Sequence, residues 1–444
     1  MSVGVRIPLH ERHALANGAQ LLMLPREDVP LIAFELLLAG GARLDPPGLA
    51  GLASLTAELL RHGAGERDAY DFAETLEGSG GSLEAEAGGE AMLVHGQFLA
   101  RDAELMLGLL ADALLRPHLD AVEFGKLRAR RIEFIKAAKD SDPQSLIGQY
   151  GRALLFADHP YGQPVGGSET SLARIEPEEI REFHQRHCGA DRLSLVFAGD
   201  FDPSWMRDAV ETAFGGWRGA GKPLPATPKP APIAGRRVLL IDAPGSTQGY
   251  FWLANVGVAR SFELRAALET VNTAFGGSFG SMLMQALRTR TGLSYSAHSE
   301  FRRGSVAGGF AINSFTDGAS TGRAIEISLR TLDALKQRGL AEEALESARN
   351  YLLGQYPLGF ETSADWAAAM GELALYALPD SYIDGFGPAL LRVDAQQASQ
   401  VIAEAFPASE DLAIVVIGDA RRLRRQVARF GPVTERPLAA PDFG

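Results

Sequence analysis

Short apolar runs alternate with amphipathic stretches along the chain, and the same order occurs twice. Residues 20–46 (QLLMLPREDVPLIAFELLLAGGARLDP) and residues 237–262 (RVLLIDAPGSTQGYFWLANVGVARSF) each predict two strands joined by a turn and followed by the start of a helix. Residues 191–203 (DRLSLVFAGDFDP) and 410–422 (EDLAIVVIGDARR) each predict a buried strand that ends in Gly-Asp before a helix. The pattern indicates an internal duplication with about 220 residues in each copy.

The segments between these strands indicate the fold class. Residues 123–135 and 343–353 predict charged amphipathic helices at the same position in each copy. Hairpins and helices without strict strand-helix alternation predict an α+β fold, with helices packed on a mixed or antiparallel sheet in each of two homologous domains. A Pro-, Gly- and Ala-rich stretch without apolar periodicity, GGWRGAGKPLPATPKPAPIAG, predicts a stiff, extended linker. We place the first domain at 1–217, the linker at 218–235 and the second domain at 236–444.

Composition narrows the class of protein. A chain of 444 residues with 46% hydrophobic and 22% charged residues is typical of a globular protein with more than one core. Apolar runs too short to span a bilayer, the lack of a secretory leader pattern and a single cysteine, Cys188, predict a cytoplasmic protein without membrane segments. A net charge of −12 disfavours nucleic acid as a partner. The basic runs at 128–131 and 421–425 are interpreted as solvated helix faces.

Common catalytic motifs are absent from the sequence. His10 and His13 lie three apart in a segment predicted to be a loop, without a third ligand, and His184 and His187 are interpreted as caps at a helix end. No nucleophile elbow or dinucleotide fingerprint occurs, and the glycine-rich GGSFG at 276–280 lacks the lysine of a phosphate loop. Serine hydrolases and nucleotide enzymes are therefore disfavoured.

Arg288 and Tyr295 form the most informative pair of residues. The stretch MLMQALRTRTGLSYSAHS predicts a helix that ends at Gly292 and a strand that carries Tyr295, so the guanidinium and the phenol can converge on one point. Such donors could hold a carbonyl or a developing oxyanion. The spacing alone is also typical of a solvated cation at a helix end and a half-buried strand aromatic.

Several segments resemble the M16 zinc metallopeptidases, a family that includes the two-subunit processing peptidases. GGSFGSMLMQALRTRTGLSYS, at 276–296, is similar to the family's glycine-rich turn, helix and Gly-Leu-x-Tyr strand entry, and Gln248 stands where the family commonly has glutamine. In the first half, GLAGLASLTAELLRHGAG resembles the family's zinc helix, and GSGGSLEAEAGGEAMLVHG and HPYGQPVGGSE resemble segments that follow it. The resemblance covers nearly the whole chain.

The zinc motif itself is lost. The family's two histidine ligands and its glutamate base correspond here to Ser54, Glu58 and Ala57 respectively, which cannot build a zinc site. Near the expected third ligand only Glu133 is available, and a shifted site of Glu58 with His62 lacks a second histidine. We therefore expect no metal and no other cofactor in this chain.

The resemblance implies a division of labour between two subunits. Arg288 and Tyr295 would hold the substrate backbone and the oxyanion, while a zinc-bearing M16 homologue would supply the metal in a heterodimeric endopeptidase that is inactive as this chain alone. The substrate would be a peptide or unfolded polypeptide, held by adding a strand to a sheet edge. Two alternative functions are compatible with the same fold and involve no hydrolysis. The chain could be a structural core subunit of a larger complex, or it could form a homodimer that binds peptides.

Overall fold

The first sheet is built from the first half of the chain. The computed structural model describes residues 4–444. The six strands of this sheet are β1 (Glu11–Ala14), β2 (Gln20–Pro25), β3 (Leu31–Ala39), β4 (Ser82–Ala87), β5 (Ala91–Leu99) and β6 (Leu193–Gly199). Their order across the sheet is β1-β2-β6-β3-β5-β4, with β2 and β6 parallel and the other neighbours antiparallel.

The second half of the chain repeats this plan. Its strands are β7 (Arg237–Asp242), β8 (Gln248–Gly257), β9 (Ala297–Arg303), β10 (Gly308–Asp317), β11 (Ala413–Gly418) and β12 (Val433–Pro437). The order is β12-β7-β11-β8-β10-β9, with β7 parallel to both β11 and β12. The outer strand beside β2 comes from the start of the first half, whereas the one beside β7 comes from the end of the second half.

Helices pack on these sheets in both halves. In the first half they are α1 (Leu52–Leu59), α2 (Ala69–Gly78), α3 (Ala103–Leu115), α4 (Ala121–Ser141), α5 (Ile147–Phe156), α6 (Glu169–Arg174), α7 (Pro177–His187) and α8 (Pro203–Phe214). In the second half they are α9 (Arg265–Asn272), α10 (Met282–Met284), α11 (Thr321–Arg338), α12 (Glu342–Gln355), α13 (Ser363–Leu375), α14 (Ser381–Asp384), α15 (Phe386–Leu391), α16 (Ala395–Ala405) and α17 (Ala420–Val427).

The predicted fold class is confirmed: two domains, each with a mixed six-stranded sheet and packed helices. Both predicted amphipathic helices lie within α4 and α12. The segment at 218–235 contains no helix or strand. The domain bounds 1–217 and 236–444 stay our proposal. One expectation was wrong, because the HERH segment predicted as a loop holds β1, an edge strand whose polar side chains face outward.

Each half covers one sheet face of the other half. Helix α5 packs on β8 and β11 of the second sheet, where Gly151 lies directly against the indole of Trp252. Helix α13 packs on β3 and β6 of the first sheet, and its Trp366 and Met370 are buried with Leu37 and Val196. The two helices occupy corresponding positions in the two halves. Because each half supplies a helix to the sheet of the other half, apolar packing joins the two domains in addition to the linker.

A polar contact also connects the halves. Glu90, in the turn between β4 and β5, accepts hydrogen bonds from the Tyr161 hydroxyl at 2.5 Å and from the Ser305 backbone N–H at 2.9 Å. Ser305 lies in the turn between β9 and β10, so the hairpin turns of the two sheets meet at this carboxylate. Within residues 4–444, no helix is both long and apolar enough to cross a membrane.

Gly151 offers a test of the exchanged packing. A methyl group added there would lie 2.6 Å from a ring carbon of Trp252, so Gly151→Ala is expected to lower the free energy of unfolding by about 1–3 kcal/mol. Gly148, on the same helix, meets only the flexible end of Arg152 at 3.7 Å, and Gly148→Ala is expected to raise stability by about 0.5–1 kcal/mol. Urea unfolding of both variants measures this difference, and equal effects would contradict it.

Glu35 makes the contact of α13 with the first sheet sensitive to pH. The carboxyl lies on β3 beside Gly371 of α13 and is only 8% exposed. Burial, with a smaller contribution from the charge of Glu86, raises its pKa from 4.5 to about 7. Between about pH 4.5 and pH 7 the Glu35 carboxyl is therefore protonated in the folded state but mostly ionised in the unfolded state. The free energy of unfolding is expected to fall as the pH rises through this range.

Replacing Glu35 with glutamine should remove this slope. Glu35→Gln is expected to flatten the pH dependence of the unfolding free energy between about pH 4.5 and 7 and to raise stability at pH 8 by up to about 3 kcal/mol. Glu84→Gln, at an exposed carboxylate on β4, is the matched control. An unchanged slope in Glu35→Gln, measured by urea titration at several pH values, would contradict the assignment.

Candidate functional site

The helix that carries Arg288 is capped by a serine and widened at its end. Ser281 accepts a hydrogen bond from the Met284 backbone N–H at 3.4 Å, and α10 continues as one π-helical turn, Gln285–Thr289. Leu283 and Leu287 are fully buried and fix the helix to the core of the second domain. A π-helical turn shifts the side chains that follow it relative to an α-helix, and such turns are frequent at functional sites.

The chain turns sharply after this helix. Gly292 has φ +62°, the left-handed conformation that glycine adopts without strain, and its N–H donates to the Arg288 carbonyl at 2.9 Å. The Leu287 carbonyl then accepts from the N–H groups of Leu293 and Ser294, at 2.9 and 3.1 Å. These hydrogen bonds bring the residues after the turn back against the helix end.

Tyr295 lies in the segment between this turn and the next strand. The prediction that it is on the strand was wrong, because β9 begins two residues later, at Ala297. Buried Ser294 holds the segment in place: its hydroxyl donates to the Ser296 carbonyl at 2.7 Å and lies 3.0 Å from the Ser314 hydroxyl on β10. With Ser294 anchored inward, the ring of Tyr295 is 72% exposed.

The structure brings Arg288 and Tyr295 together, and it adds a third residue. The guanidinium carbon of Arg288 lies 4.4 Å from the centre of the Tyr295 ring and 4.7 Å from the centre of the Phe279 ring. Both distances are within the range of cation–π attraction. Phe279 is 70% exposed, so its ring contacts Arg288 at the protein surface.

Aromatic contacts hold a guanidinium without using its N–H donors. Within residues 4–444, no hydrogen bond or ion pair engages the Arg288 guanidinium or the Tyr295 hydroxyl. The site therefore presents oriented, available donors to an oxygen atom of a bound molecule. Gln248 lies at the start of β8, where its side-chain carbonyl accepts a hydrogen bond from Tyr250 at 2.7 Å.

The positions that correspond to the family's zinc motif lie on α1. Ser54, Ala57 and Glu58 are all buried there. Glu58 accepts hydrogen bonds from Arg131 Nε at 3.1 Å and Arg131 Nη2 at 2.7 Å, and its other oxygen accepts one from Arg130. Burial alone would raise the pKa of Glu58, but the hydrogen bonds and charges of the two arginines outweigh burial and lower it.

This arrangement does not fit a zinc ion. A serine and an alanine replace two family residues, and both oxygens of Glu58 are bound to guanidinium groups whose charge would repel a dication. Glu133 is exposed and pairs with Lys136 at 2.9 Å, and His62 faces Glu123 at 3.5 Å. Among residues 4–444, no group of three or more His, Cys, Asp or Glu side chains is arranged to hold a metal ion.

Three residues of these sites were missed by sequence reasoning. Arg130 and Arg131 were interpreted as part of a solvated helix face, whereas both contact Glu58. The signal was present, since a carboxylate on a buried helix face needs positive partners. Phe279 was seen only as part of a glycine-rich turn, and its position nine residues before Arg288 does not by itself indicate a contact.

Comparison with known proteins places both halves in one family. Residues 27–168 match the family model described as Insulinase (Peptidase family M16), and residues 174–352 match the model described as Peptidase M16 inactive domain. An uncharacterized zinc protease of Mycobacterium leprae is 29% identical over 76% of this chain and 75% of its own length. An uncharacterized zinc protease of Bacillus subtilis is 24% identical over 92% of this chain and 98% of its own length.

Solved structures show the same fold. The peptidase M16 inactive domain from Pseudomonas fluorescens superimposes with a TM-score of 0.86 at 22% identity, covering 97% of this chain and 100% of that one. A protease from Helicobacter pylori gives a TM-score of 0.84 at 18% identity, covering 93% and 100%. Since the two family models together match more than two thirds of the sequence, the chain belongs to the M16 peptidase family.

Proposed function

We propose that this chain is the non-zinc subunit of a heterodimeric M16 endopeptidase. It binds a peptide or unfolded polypeptide and supplies Arg288 and Tyr295 to the active site of a zinc-bearing M16 homologue. The observation that carries the proposal is the contrast between two sites: the zinc positions lack ligands, while the Arg288 guanidinium is held by two exposed rings with its donors available.

The chemistry of this subunit is electrostatic. When a peptide carbonyl is attacked, negative charge develops on its oxygen, and donors fixed in advance stabilise that charge more than they stabilise the ground state. The Arg288 guanidinium offers N–H donors and a charge, and Tyr295 offers one O–H donor. The zinc ion belongs to the partner in this proposal, and this chain alone is inactive. A cytoplasmic location, supported by the single cysteine, is part of the same proposal.

Removal of these donors should lower turnover without preventing assembly. In a mixture with a zinc-bearing M16 relative from the same organism, Arg288→Gln is expected to reduce kcat by about 10²–10³, and Tyr295→Phe should also reduce it. Phe279→Ala, which removes only one ring that holds Arg288, should cost roughly two- to fivefold. The measurement of kcat uses hydrolysis of an unstructured peptide, and analytical ultracentrifugation of the same mixtures measures whether the complex forms.

Arg290→Gln is the matched control for this experiment. Arg290 is exposed, lies two residues from Arg288 and has no aromatic contact of this kind among the described residues. Its loss is expected to change kcat less than twofold. An inactive mixture that still assembles would favour a structural core subunit, and equal losses in Arg288→Gln and Arg290→Gln would exclude the assigned role of Arg288.

Metal analysis tests the other half of the proposal. After dialysis, this chain is expected to hold far less than one zinc ion per molecule, because Glu58 is bound to two arginines and no histidine stands at either family ligand position. Inductively coupled plasma mass spectrometry gives the number of zinc ions per protein molecule, with the zinc-bearing relative as the positive control. One tightly bound zinc per chain, together with peptidase activity of the chain alone, would overturn the division between subunits.

A further inference from the structure

The cluster of Glu58, Arg130 and Arg131 lines a cavity of about 500 Å³. Its walls come from α1, from α4, from the segment around Gly166 and Gly167 that precedes α6, and from Leu146 and Gln149 at the start of α5. Neither Arg288 nor Tyr295, which lie in the second half of the chain, lines this cavity. What it can bind follows from the charges and donors that the cluster leaves free.

The cluster carries one positive charge in excess. Two guanidinium groups face one carboxylate, whose pKa is lowered, so Glu58 remains ionised at neutral pH. Arg131 uses Nε and Nη2 for Glu58, and Arg130 uses Nη2. The remaining nitrogens, Arg131 Nη1 and Arg130 Nε and Nη1, have no acceptor within residues 4–444.

Gly166 keeps the approach to these donors open. A side chain built there would begin 3.6 Å from Arg131 Nη1 and would fill the space in front of it. Apart from Gln149, the rest of the lining is apolar and is formed by Phe134, Ile135, Ala138 and Leu146. Phe134 is exposed although it is aromatic, so an apolar group could be buried against its ring.

We propose that this cavity binds the C-terminal carboxylate of a peptide, with the apolar side chain of the last residue packed against Phe134. Each free guanidinium N–H can donate a charge-assisted hydrogen bond to a carboxylate oxygen, and such hydrogen bonds are about twice as strong as neutral ones. The apolar wall distinguishes a peptide end from a small inorganic anion. The inference needs neither Arg288 nor a partner subunit, so it can fail or stand independently of the proposed peptidase role.

Calorimetry on the full chain tests the proposal with three unlabelled peptides. Acetyl-Ala-Ala-Ala-Phe with a free C-terminus carries the proposed group, and its C-terminal amide lacks it. Acetyl-Ala-Ala-Glu-Phe amide carries a carboxylate only on a side chain. The free acid is expected to bind at least about tenfold more tightly than the amide, and added salt should weaken it. Equal binding of acid and amide would overturn the proposal, and equal binding of the Glu peptide would overturn the C-terminal assignment.

Variants of the cluster should change affinity in opposite directions. Arg131→Gln should reduce binding of the free acid by about tenfold, whereas Glu58→Gln, which raises the excess charge, should increase it several-fold. A general loss of structure would weaken binding in both. Arg130→Gln, also expected to weaken binding, gives a second measurement if Glu58→Gln does not fold.

Lys136 provides the matched control. It lies on α4 like the two arginines, pairs with Glu133 and has the same exposed side-chain fraction as Arg130, 51%. It does not line this cavity, and Lys136→Gln is expected to leave the affinity unchanged. If Glu58→Gln weakens binding as much as Arg131→Gln does, or if Lys136→Gln has the same effect as Arg131→Gln, the proposed site is wrong.

Discussion

Both sheets have two apolar faces, and each half of the chain covers only one face of its own sheet. Strand β3 is buried along nearly its whole length, and β11 is buried at every residue, so helices are needed on both sides. The second layer comes from the other half, as α13 on the first sheet and α5 on the second. Each half therefore relies on a helix of the other half to cover the second face of its sheet. The relative positions of the two candidate sites are therefore fixed by core packing rather than by the linker.

The sequence predicted the elements better than it predicted their partners. Continuous apolar runs such as LSLVFAG and AIVVIG indicate strands buried on both faces, and their repetition revealed the duplication. Nothing in the periodicity of α5 or α13 states which sheet the helix packs on, because an apolar stripe fits any apolar face. The exchange of helices is a tertiary property that required the structure.

The wrong or missing predictions about the candidate site also concern contacts that depend on tertiary structure. Ser-Tyr-Ser alternates polar and aromatic residues like a strand, but the backbone at Tyr295 is held by the hydroxyls of Ser294 and Ser314 instead of a ladder. Arg288 and Tyr295 could be named from motif resemblance, whereas Phe279 could not, since its contact depends on the π-helical turn and on how the glycine-rich segment enters α10. Local sequence patterns predict whether a segment is a helix, a strand or a turn. Contacts between side chains depend on the three-dimensional geometry, which those patterns do not determine.

The two arginine sites show how one side chain serves opposite purposes. At Glu58 the guanidinium groups satisfy a buried carboxylate, and part of their hydrogen-bonding capacity is used inside the protein. At Arg288 two rings supply the attraction, so the orientation is fixed while the N–H donors remain available. A guanidinium paired with a carboxylate stabilises the fold and can offer only its remaining N–H groups to a ligand, whereas a guanidinium held by aromatic faces can offer all of them. The neighbours of each guanidinium, rather than the presence of arginine, determine how many N–H donors remain for a bound molecule at each site.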